Sequence, residues 1–114
     1  MSSSFRRSKK LAAWAFGSLM LVVEGPAFAW DGVVSGTIAT VQITAGQNFG
    51  FRLFLNGVTT MCTGGPNWAY LNEADSNYKT YVAAFLLAKA QGNTVAVYTT
   101  LENGQCHIGY ISIS

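Results

Sequence analysis

The 114-residue chain is half hydrophobic, contains two cysteines and carries a formal net charge of +2, which allows one small domain and excludes two. Four of its seven basic residues, Arg6, Arg7, Lys9 and Lys10, fall in the first ten positions. Beyond position 29 only Arg52, Lys79 and Lys89 stand against Asp31, Glu73, Asp75 and Glu102, so that part has neither the footprint of a nucleic-acid binder nor the basic stripe of a membrane-surface protein.

The basic start is followed by an apolar run from Leu11 to Val23, then Gly25-Pro26 and Ala27-Phe28-Ala29. This is the order of a secretory signal peptide, with cleavage expected after Ala29. The run is too short for a permanent membrane anchor. Residues 1–29 are thus read as a leader and residues 30–114 as a single domain, secreted or periplasmic. Export places Cys62 and Cys106 in an oxidising compartment, where they are expected to form one disulfide, worth roughly 4 kcal/mol by loop entropy. A metal site on Cys62, Cys106 and His107 has too few ligands and the wrong compartment; no metal and no cofactor is expected.

Val33 to Ile43 reads as a strand whose apolar phase changes, with Ile38 at an even position and Val41 and Ile43 at odd ones. Such a change predicts a bulge or sharp bend. Phe49, Phe51, Leu53 and Leu55 alternate with Gly50 and Arg52 and predict a strand with one buried face. Asn56-Gly57 then predicts a tight hairpin with Val58 to Cys62 as the return strand, and Thr63 to Asn67 a turn leading into Trp68, Tyr70 and Leu71. The next element is the one helix, capped by Asp75 or Ser76 and ended by Gly92-Asn93. Tyr78, Tyr81, Val82, Phe85, Leu86 and Ala88 gather on one face. The opposite face, Lys79, Thr80, Ala83, Ala84, Leu87 and Ala90, is small and apolar enough to predict cover on more than one side. Thr94 to Leu101 and Gln105 to Ile113 form the last strands around a second hairpin at Asn103-Gly104. The order β-β-β-α-β-β with a bent first strand is the plan of a mainly β, OB-like Greek-key barrel; a flat sheet carrying one helix is the alternative.

The catalytic inventory is sparse, and no enzyme is expected. His107 is the lone histidine and lies in a strand beside a disulfide cysteine. No nucleophile motif accompanies Ser76. Glu73 and Asp75 near a helix start are explained by its dipole rather than by glycoside cleavage. Exposed tryptophans and tyrosines beside Asn and Asp could stack on sugar rings, and Trp68 and Tyr70 are the candidates.

Trp30, Asp31-Gly32-Val33-Val34-Ser35-Gly36 and Gly46-Gln47, with the mid-chain helix and the Thr94 to Tyr98 strand after it, resemble the binding (B) subunits of the subtilase-cytotoxin and typhoid-toxin type. The Cys62-Thr63-Gly64-Gly65-Pro66 and Asp75-Ser76-Asn77-Tyr78-Lys79 stretches look like small exported bacterial proteins related to them. The resemblance implies an OB fold, a pentameric homo-oligomer, binding of a glycan or glycoprotein, and a catalytic partner chain. In that family an aspartate and a serine four residues later contribute to the glycan pocket, and Asp31 and Ser35 have this spacing. A structural or protein-interaction component of the cell envelope, with no small ligand, is the alternative function.

Overall fold

The computed structural model describes residues 29–114; apart from Ala29, the expected leader lies outside the described residues. The elements are β1 (Gly32–Ile43), β2 (Phe51–Leu55), β3 (Ala69–Leu71), α1 (Tyr78–Gln91), β4 (Thr94–Glu102) and β5 (Gln105–Ile113). The strands follow one another in the order β1-β2-β3-β5-β4, and β4 pairs back onto β1. The sheet therefore closes into a five-stranded ring, and the flat-sheet alternative falls. Four of the pairings are antiparallel; β3–β5 alone is parallel.

Closure depends on β1. Its first half, Gly32 to Thr37, pairs with β4, and its second half pairs with β2. The register slips between Ile38 and Thr40, where the apolar phase changes in the sequence. Val34 and Ile38 point inward before the slip and Val41 after it. One extra residue thus lets a single strand serve both neighbours. Ile43, expected inward with Val41, is 67% exposed, because the strand has run past the core by then.

The interior is filled by Phe51, Leu53 and Leu55 of β2, Val95 and Val97 of β4, Met61, Leu71 and the Cys62–Cys106 disulfide. Phe85 of α1 stacks on Phe51, with centroids 5.7 Å apart, and Ala88 beside it lets the helix approach the strands closely.

Val58 to Cys62 is not a strand. Gly57 takes a positive φ but Asn56 does not, so the two-residue hairpin does not form. Asn56 instead ties back to β1, its backbone N–H donating to the Thr37 carbonyl and its side-chain amide to the Thr37 hydroxyl. Met61 and Cys62 are drawn into the core, and the strand that pairs with β2 is β3, which carries Tyr70. The helix N-terminus also differs. Asn77 occupies the cap position in a left-handed conformation without a side-chain bond, and Asp75 and Ser76 do not cap. The C-terminus is as expected: Gly92 is left-handed, and the N–H groups of Gly92 and Asn93 return to Lys89 and Ala88, a Schellman ending. Asn103 and Gly104 both have positive φ, the signature of a type I′ hairpin. Leu86, expected on the face with Phe85, is instead 45% exposed, and Leu87 on the opposite face is 58% exposed, so both leucines stand uncovered in this chain.

Candidate functional site

The inward and outward alternation of β1 puts Gly32 and Val34 toward the interior and Asp31, Val33 and Ser35 on the outer surface. Gly32 does not turn the chain. It pairs with Thr99 in unbroken register with the residues that follow, and a Cβ there would collide with the Met61 carbonyl and the Thr99 hydroxyl. Asp31 and Ser35 are therefore separated along an extended strand by roughly 13 Å at Cα. Only a ligand longer than one sugar ring reaches both.

Around them the outer faces of β1, β4 and β5 form cross-strand rows. Val33 lies opposite Tyr98, and Tyr98 opposite Tyr110; Ser35 lies opposite Ala96, and Ala96 opposite Ser112. The Tyr98 and Tyr110 rings meet edge to face at 4.9 Å, and Trp30 adds a further edge contact to Tyr98 at 5.8 Å. Trp30 lies flush against the strand because Gly109 has no side chain; a Cβ there would strike the indole. Val33 and Tyr110 are both more than half exposed. The result is an apolar and aromatic strip bordered by the small hydroxyl row of Ser35 and Ser112.

Asp31 and Val33 also border a cavity of about 210 Å³, lined by Asp31 to Val34 and Thr60 to Thr63. Asp31 is exposed and is held from both sides. Its N–H donates to the Thr99 carbonyl, its own carbonyl accepts the Thr63 N–H, and Oδ2 accepts the Leu101 N–H at 2.7 Å. The other carboxylate oxygen has no hydrogen-bond partner among the described residues and can accept from a ligand hydroxyl.

Trp68 and Tyr70 are elsewhere. They line no part of this cavity and belong to a cluster on β3, with Phe49 against both rings at 5.9 and 4.6 Å and the Arg52 guanidinium 5.0 Å from the Trp68 ring centre. Tyr70 is 4% exposed. Its ring stacks on His107 at 4.7 Å and 6°, so it presents no open face to a sugar.

The sequence does not reveal the grouping around His107. Its Nε2 lies 2.7 Å from Asp75 Oδ2 and its Nδ1 lies 3.0 Å from Glu102 Oε2. Burial of the ring opposes its charge, but the hydrogen bonds to Asp75 and Glu102, with their negative charges, outweigh this and raise its pKa above the ordinary 6.5. Burial, then the charges of Glu102 and Asp75, also raise the Tyr70 pKa. A second cavity of about 210 Å³ next to His107 is lined in part by Asp75, Ser76 and Tyr81. These residue types suit a hydrolytic triad, but the arrangement does not: both imidazole nitrogens face carboxylates, so neither is directed at the Ser76 hydroxyl. The one available signal was an outward-facing histidine beside an inward-facing cysteine; its partners come from 32 and 5 residues away.

No protein-family model, curated protein or solved structure matches this chain. Among the described residues no helix is long and apolar enough to cross a membrane, and no cluster of three or more His, Cys, Asp or Glu could hold a metal ion.

Proposed function

We propose that the protein is an exported, non-enzymatic glycan-binding module of OB type that works as a homo-oligomer, similar to the binding subunits of subtilase-cytotoxin and typhoid-toxin type. The ring order β1-β2-β3-β5-β4, with the helix between β3 and β4, supports the OB assignment. The observation that carries the function is the alignment of Asp31, Val33 and Ser35 on one outer strand face beside Tyr98, Tyr110 and Trp30. A sugar chain needs apolar ring faces for its C–H surfaces and uncharged or acceptor groups for its hydroxyls. Here the tyrosines supply the first and Asp31 and Ser35 the second, without any cation. The roughly 13 Å between Asp31 and Ser35 favours an oligosaccharide laid along β1, with one residue in the cavity at Asp31.

A glycan-array screen of the purified protein tests this, followed by titration of the bound ligand. Ser35→Ala removes one hydrogen bond worth about 0.5–1.5 kcal/mol, or about two- to tenfold in affinity. Asp31→Ala removes a charged acceptor and is expected to cost more. Unchanged affinity in both variants, on a ligand the wild type binds, would place the site elsewhere.

The exposed helix face favours a second reading, a protein-interaction component of the cell envelope. Leu86 and Leu87 project from α1 among exposed Ala83 and Ala90. In the glycan reading this same face meets other copies of the chain.

A further inference from the structure

The end of the β4–β5 hairpin connects the His107 cluster to Asp31 through adjacent residues. Glu102 Oε2 receives two contacts, the Thr100 hydroxyl at 2.9 Å and His107 Nδ1 at 3.0 Å. The residue before it, Leu101, gives its N–H to Asp31 Oδ2. The pairs His107–Asp75 and His107–Glu102 are the only ion pairs among the described residues. We propose that the His107–Glu102 contact is a proton-operated clasp on the hairpin end, and that it sets the position of the Leu101 N–H and through it the Asp31 carboxylate. The regulatory meaning, a glycan affinity governed by the proton on His107, rests on the glycan reading above; the clasp itself does not.

The argument is one of donor count. An imidazolium donates from both nitrogens and satisfies both carboxylates, whereas a neutral imidazole carries a single N–H. When the proton leaves, one carboxylate faces a bare lone pair at hydrogen-bond distance, and that contact must open. Asp75 holds the stronger position. Its contact is shorter, its side chain is 21% exposed against 48% for Glu102, and Oδ2 is also fixed by the Asn72 N–H at 2.8 Å. The neutral ring therefore keeps its proton on Nε2 toward Asp75 and releases Glu102.

The other groups around the ring do not replace it. Tyr70 of β3 is stacked on it and held neutral by its raised pKa. Thr100 of β4, its cross-strand partner, already donates to Glu102. Tyr81 of α1 borders the same cavity but gives its hydroxyl to the Gly109 carbonyl. Because the folded ring has its pKa above 6.5, the clasp is fully closed below that pH and opens as pH rises through the raised value.

Nuclear magnetic resonance of the purified protein reads this directly without any ligand. The His107 imidazole signal and the Leu101 amide signal are expected to move together, with one shared midpoint above 6.5. In Glu102→Gln the imidazole midpoint falls, because one negative partner is gone, and the Leu101 amide stays still while the ring titrates. The exposed position of Glu102 and the oxygen retained by glutamine keep this variant folded. His107→Gln, which has no titrating ring, loses the Leu101 transition. A Leu101 amide that does not move while wild-type His107 titrates overturns the clasp, as does an unchanged Leu101 transition in either variant. A failed glycan screen with intact coupling would count against the ligand and leave the clasp standing.

Discussion

Replacing both cysteines by alanine tests how a ring this small stays closed. The bridge joins Cys62 and Cys106 across 44 residues, and removing it frees the unfolded chain by about 4 kcal/mol at 25 °C in the loop-entropy treatment. A domain of this size has a total stability of about 4–13 kcal/mol, so the loss removes a large share of it. With about 4–8 °C of melting temperature per kcal/mol, the double variant is expected to melt about 16–32 °C below the wild type. Urea titration at fixed pH, with the free thiol content of the wild type measured in parallel, gives the comparison. A loss below about 1 kcal/mol in the double alanine variant would refute the reasoning, because the entropy term alone is about four times larger. Two titratable thiols in the wild-type protein would refute its premise.

Thr99 is fully buried and donates its hydroxyl to the Met61 carbonyl at 2.9 Å; Thr99→Val keeps the shape and strands that carbonyl, costing about 1–3 kcal/mol in a denaturant titration. Leu87→Glu places a charge on the exposed helix face and is expected to turn an oligomer into a folded monomer by light scattering, with the melting temperature nearly unchanged. A wild-type protein that is monomeric at high micromolar concentration would remove that interface.

What could be read from the sequence was whatever the chain decides locally. The phase change between Ile38 and Val41 is a property of one strand, as are the alternation of Phe51, Leu53 and Leu55, the Asn103-Gly104 turn and the Gly92 helix ending. The third strand was misplaced because Val58 to Cys62 has strand-forming composition, whereas Ala69–Leu71 is three residues long and buried throughout, with no alternation to detect. Its existence depends on partners on both sides, β2 and β5. Asp75 fits a helix cap by every local rule, but its carboxylate is claimed by Asn72 and by a histidine 32 residues away. The spacing of Asp31 and Ser35 was legible; that the strand runs through Gly32 without turning and leaves both on its outer face was not. That Trp68 and Tyr70 lie in a separate cluster follows from the order of strands around the ring, which no window of sequence contains.

The β3–β5 seam shows why these two kinds of feature occur together. It is the only parallel joint in the ring and has just two residue pairs, Ala69 with Cys106 and Tyr70 with His107. Parallel pairing is slightly weaker per residue, so a joint of this length would not hold the ring closed through backbone bonds alone. Each pair is reinforced on the side to which its residues point. Toward the interior, Cys106 is bonded to Cys62, and Gly65 covers the two sulfurs so closely that a Cβ would strike both. Toward the outside, His107 stacks on Tyr70 and reaches Asp75 and Glu102. The covalent brace is insensitive to pH, while one contact of the outer brace, His107 to Glu102, depends on a proton. The ring can therefore stay closed while the outer brace relaxes, which confines the effect of deprotonation to the hairpin end that carries Leu101 and faces Asp31.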